Sequence, residues 1–167
     1  MKYYLSLALV ALGLSNAYAF EGDVARVGSI APGFQAVSTD GAAYSLGDLK
    51  GKVVLLDFFA TWCGPCMAEM PLVERDIWQA HKSDGLVVLG IGREHQNQEL
   101  AAFKAAKGFT FAIIADPKRA IYSQYATQFI PRCYLIGRDG TIKFAAVGYG
   151  ERDFGELKAA ILRELGK

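Results

Sequence analysis

The chain has 167 residues, 52% of them hydrophobic, and carries 18 basic against 17 acidic side chains for a formal charge of +1. That is ample for one core and short for two. With no basic stripe and no long charge run, nothing points to nucleic acid or to an anionic membrane surface. In chain order, Met1 to Ala19 reads first as an export signal. Lys2 gives a positive start, Leu5 to Leu14 is apolar, and Ala17-Tyr18-Ala19 has the small-x-small pattern of a cleavage site. The apolar stretch falls well short of the ~20 residues that span a bilayer, so cleavage is expected rather than a retained anchor. No cysteine follows the site to take a lipid. The plan is a signal peptide over 1–19 and one domain over 20–167, near neutral and delivered to an oxidising compartment.

Glu21 to Gly51 is rich in Gly, Ser, Asp and Ala. Within it, Gly33–Val37 and Ala43–Leu46 flank an Asp40-Gly41 turn and predict a β-hairpin. Val53-Val54-Leu55-Leu56-Asp57-Phe58-Phe59 follows as a nearly unbroken apolar run, the pattern of a strand buried on both faces. Asp57 interrupts it. Burying an unpaired carboxylate costs several kcal/mol, so Asp57 must find a partner or hold a raised pKa.

Thr61-Trp62-Cys63-Gly64-Pro65-Cys66 comes next, and Pro65 suits a first helical turn because its missing N–H has no intrahelical partner there. Cys63 is thus expected at a helix start, where free N–H groups and the dipole favour a thiolate. Cys66, one turn further in, is expected to be more shielded and close enough for a disulfide. A bridge closing so short a loop constrains the unfolded chain little, so the pair is better explained by chemistry than by stability.

Pro65 to about Lys82 predicts a helix with Met67, Met70, Val73, Ile77 and Trp78 inward and a kink at Pro71. Leu86–Ile91 is a second buried strand, parallel to the first through a helical crossover. A helix over Gln96–Lys107, a strand over Phe109–Ala115 and a helix over Pro117–Thr127 continue an α/β alternation. Ile130-Pro131-Arg132-Cys133 opens a further strand, Arg138–Thr141 turns into Ile142–Val147, and Arg152–Leu165 closes the domain as an amphipathic helix.

The run Phe59-Ala60-Thr61-Trp62-Cys63-Gly64-Pro65-Cys66 resembles the thioredoxin superfamily, and Met67-Ala68-Glu69-Met70-Pro71 extends the likeness to its periplasmic, membrane-associated ResA/TlpA-like branch. The resemblance covers about Ile30 to the C-terminus. It implies a thioredoxin-like α/β fold, a central mixed sheet flanked by helices with the N-terminal hairpin as an addition. It also implies thiol:disulfide exchange with protein disulfides, Cys63 attacking and Cys66 resolving, with no organic cofactor or metal and re-reduction by a membrane thiol donor. Asp57, six residues before Cys63, matches the buried acid that takes the resolving thiol's proton. Pro131 matches a cis-proline beside the cysteines, with Ile130 before it offering backbone to an extended substrate and Trp62 forming an apolar rim. Glu94, after the second strand, and Glu69, one turn past Cys66, are candidates for proton transfer or tuning of the pair. The branch suggests apocytochrome c thiols or other exported proteins as targets, and a periplasmic monomer.

Other readings of the same residues are a disulfide oxidase or isomerase, half of a zinc site, a copper-delivery module and a thiol peroxidase. Zinc needs two further ligands, and Cys133, His81 and His95 lack ligand spacing. The copper branch resembles C-x-x-x-C, and the peroxidase needs its cysteine in a different motif. Gly-Pro between the cysteines resembles the reducing members. Cys133 is expected to be a small buried hydrophobe, His81 a helix-terminal cation and His95 a loop residue.

Overall fold

A computed structural model describes residues 19–167. The expected export signal lies outside the described residues except for Ala19. Gln35–Val37 (β1) and Ala43–Ser45 (β2) form the expected antiparallel hairpin. The main sheet holds Val53–Phe59 (β3), Leu86–Arg93 (β4), Ala112–Asp116 (β5), Arg132–Ile136 (β6) and Ile142–Val147 (β7), in the order β5-β4-β3-β6-β7. β3, β4 and β5 are parallel, while β6 and β7 run antiparallel beside β3. The sheet is therefore mixed, with β3 central.

Side chains alternate across β3. Val53, Leu55 and Phe59 enter one core with Cys66, Met70, Val73, Leu100 and Leu157, under the helices Gly64–Leu72 (α1), Asn97–Lys107 (α3) and Glu151–Leu165 (α5). Val54, Leu56 and Phe58 enter the other, with Tyr122, Tyr125 and Tyr134. By the same alternation Asp57 lies on the α1 face. Gly92 lets α3 close onto β4, since a methyl group there would collide with the Leu100 side chain.

The long helix runs to His81, but not as a uniform α-helix. Pro71 donates no hydrogen bond, and after α1 the chain winds through a π-helical turn over Val73–Trp78 before Gln79–His81 (α2). Met67 and Trp78 pack against the core but are only partly buried, while Cys66, Glu69, Met70, Val73 and Ile77 face in. The helix expected over Pro117–Thr127 is reduced to Tyr122–Tyr125 (α4), because the buried Asp116 carboxylate accepts the N–H groups of Ile121 and Tyr122 at 3.1 and 2.7 Å. The strand expected from Phe109 begins at Ala112.

The N-terminal segment lies along both edges of the sheet. Thr39 N–H donates to Ile113 on β5, Gly28 N–H donates to the Ile142 carbonyl on β7, and Ile142 N–H donates back to Ser29. Arg132, fully buried, pairs at 2.5 Å with Asp23, whose side chain is nearly covered, and donates to the Glu21 carbonyl. This ion pair was not foreseen.

Candidate active site

Cys63 caps α1 and Pro65 lies in its first turn. Cys63 and Cys66 form a disulfide, and the Cys66 N–H donates to Cys63 Sγ at 3.2 Å. Cys63 is 6% exposed and Cys66 is wholly buried, so the outer sulfur is the accessible one. A thiolate at Cys63 would occupy the end of the helix where unpaired N–H groups converge.

Two carboxyl groups lie between α1 and the sheet, Asp57 from β3 and Glu69 from α1 itself. Asp57 is 1% exposed and Glu69 5% exposed. Neither Asp57 oxygen, nor Glu69 Oε2, has a hydrogen-bond partner among the described residues. Burial pushes both pKa values well above the usual carboxylate range, and for Glu69 the neighbouring Asp57 charge pushes further. Two such groups side by side resist carrying two charges, so near neutrality they hold at most one between them. Glu69 is thus turned inward beside Asp57 rather than toward solvent. Cys133 is the cross-strand partner of Asp57 and is buried as expected. Burial, with Glu69 and Asp57 nearby, raises its thiol pKa well above the ordinary value.

The rim is built from two loops. Trp62 is 63% exposed beside Cys63, and Phe129 is half exposed before Ile130-Pro131, whose peptide bond is cis. Phe129 has left-handed backbone (φ 68°), and its carbonyl accepts from the buried Tyr122 hydroxyl at 2.7 Å. Arg93 lies 5.8 Å over the Trp62 ring and 5.0 Å over the Tyr122 ring.

Glu94 is exposed, has left-handed backbone (φ 66°) and pairs with Arg93 at 3.2 Å. The side chains that reach the cysteine turn from this segment are its neighbours, Arg93 and His95. His95 is buried, not a solvated loop residue: its Nε2 accepts the Thr61 N–H at 3.0 Å and its Nδ1 lies 2.7 Å from Glu99 Oε1. The i, i+4 spacing of His95 and Glu99 was the available signal. His81, at its helix end, pairs with Asp84.

The AhpC/TSA family model matches residues 27–145. The chain is 31% identical over 146 residues to the thiol-disulfide oxidoreductase ResA of Geobacillus thermodenitrificans, covering 86% of this chain and 83% of that one. Among solved structures it is similar to a candidate protein disulfide isomerase from Bacteroides thetaiotaomicron, with a TM-score of 0.83, 38% identity and coverage of 87% and 94%. It is also similar to a candidate thiol:disulfide interchange protein DsbE from Chlorobium tepidum, with a TM-score of 0.78, 30% identity and coverage of 85% and 99%. A thioredoxin-like sheet with a helix-capping cysteine pair, shared over most of the chain with proteins so named, places the chain in the AhpC/TSA family as a thioredoxin-like thiol:disulfide oxidoreductase.

Proposed function

We propose that the protein is exported to the periplasm by cleavage after Ala19 and there, as a monomer, reduces disulfides in exported protein substrates, apocytochrome c among the candidates. The observation that carries the reading is the asymmetry of the pair: Cys63 at a helix start and less buried than its partner, and a wholly buried Cys66 on the inward face of a helix that also turns Glu69 toward Asp57, two carboxyl groups with raised pKa values. The Cys63 thiolate attacks one sulfur of the substrate disulfide and expels the other as thiolate. Cys66 then loses its proton to Asp57 and attacks Cys63 Sγ, releasing the second substrate thiolate and leaving the Cys63–Cys66 disulfide. Two electrons pass to the substrate, and a membrane thiol donor returns them. The reaction calls on no metal or organic cofactor.

Glu69 shares the charge with Asp57 and tunes when it can accept a proton. Trp62 forms the apolar rim, while Ile130 offers backbone to an extended substrate and Pro131 packs beside the pair. Glu94 has the lesser role, holding Arg93 at the rim. The reduction potential tests the direction. A value near that of thioredoxin, roughly −270 mV, supports a reductase, and one near that of DsbA, roughly −120 mV, makes the protein an oxidant of exported thiols.

A further inference from the structure

The turn that carries Trp62 and Cys63 leaves β3 at Ala60, and its first amide, Thr61 N–H, is spent on a side chain rather than on backbone: it donates to His95 Nε2 at 3.0 Å. The donor fixes the chemistry of the ring. Nε2 must present a lone pair, so the single proton of a neutral imidazole sits on Nδ1 and is donated to Glu99 Oε1, 2.7 Å away. The Thr61 hydroxyl lies 3.4 Å from the same Nε2. His95 is 3% exposed, so water is poorly placed to substitute for it.

The backbone is bent to permit this. Glu94 adopts a left-handed conformation, and its N–H is tied to the Asp116 carbonyl at 2.9 Å. The bend sets Arg93 over Trp62 and His95 against Thr61, so one segment grips two consecutive residues of the turn. Non-glycine residues in such conformations concentrate where a site must be held in one geometry.

We propose that His95 is a positioning residue for the attacking cysteine, a clamp on the Trp62-Cys63 turn that holds only while its imidazole is neutral and is oriented by Glu99. Protonation at Nε2 would set two N–H groups face to face at Thr61 and release the turn. The charged group in contact with the ring is Glu99 from α3; its chain neighbours Arg93 and Glu94 pair with each other, and the Asp116 carboxylate at the end of β5 is engaged by the Ile121 and Tyr122 amides. Thr61 from the cysteine turn is uncharged. The proposal rests on Cys63 being the attacking residue.

The test is kcat/KM for dithiothreitol-driven reduction of insulin by the mature protein, compared across pH 5 to 8 for the native protein and its variants. His95→Ala should lower kcat/KM at pH 7 about tenfold, the effect of leaving one buried amide unpaired. His95→Gln, whose side-chain oxygen can take the Thr61 N–H and cannot gain a proton there, should recover most of that rate and hold it at the acid end of the range better than the native protein does. Native and His95→Gln profiles that superimpose would overturn the clamp. Cys63→Ser is run alongside: if it stays active the site reading fails, whereas if it is inactive and the His95 variants keep the native profile, only the clamp fails.

Discussion

Replacing Glu69 by Gln tests the buried acid pair through stability rather than turnover. In the unfolded chain both carboxyls lose their protons near pH 4. In the fold, burial raises both pKa values, so each group keeps a proton that the unfolded chain has released. A raised folded pKa contributes stability that is complete below the unfolded value and is lost as pH rises toward the folded one. Each retained proton therefore lowers stability by about 1.4 kcal/mol per pH unit within that window. Glu69 alone should account for a decline of about 3 kcal/mol between pH 5 and pH 7. Glu69→Gln has no proton to lose at this site, so its stability should fall less steeply by about 1.4 kcal/mol per unit. The assay is urea unfolding at fixed ionic strength at pH 5, 6 and 7, with the disulfide kept oxidised so that Cys63 and Cys66 do not titrate. Any packing cost of the amide shifts the whole curve and leaves its slope alone. Parallel curves for the two proteins, whatever their offset, would refute the argument.

Cys66→Ser should arrest turnover at a mixed disulfide between Cys63 and the substrate, visible as a mass adduct that dithiothreitol removes; an adduct on Cys133 instead would count against the assigned order of attack. Asp57→Asn should slow the resolving step by about a hundredfold, the scale of a lost general base, so the same adduct should accumulate in the otherwise intact enzyme. Arg132→Ala should cost about 3–5 kcal/mol in urea unfolding, because it strands the buried Asp23 carboxylate, and adding Asp23→Ala should recover part of that loss.

The cysteine pair, its helix start and the buried strand before it were legible because each depends on neighbours in the chain. Cys63 caps a helix that Pro65 helps to start, and the apolar run of β3 needs no distant residue to be recognised. Asp57 was legible as a conflict between a charge and an apolar strand, and the structure leaves that conflict in place with no ion pair among the described residues. The inward turn of Glu69 was harder to read. Glu69 sits in a regular stretch of α1 where a glutamate ordinarily faces water, and the π-helical turn after Pro71 changes the register by which Trp78 and its neighbours meet the sheet. The short α4 was hidden because its start is set by Asp116, which reaches forward five and six residues to the Ile121 and Tyr122 amides, outside the usual capping spacing. His95 and Arg132 find partners on other elements, Thr61 and Asp23, that only the folded chain brings to them.

The N-terminal segment that hydrogen-bonds to β5 and β7 also bears on how copies of the protein meet. An open sheet offers two rows of unpaired N–H and C=O groups, and each is a template on which another copy's strand can grow. Thr39 occupies part of one row and Gly28 to Ser29 part of the other, so this chain blunts both with its own backbone. A shortened chain beginning at Lys50 would bare both rows and would also strip Phe34 and Leu46 from the core and Asp23 from the buried Arg132, so light scattering that rises with concentration should accompany a loss of stability.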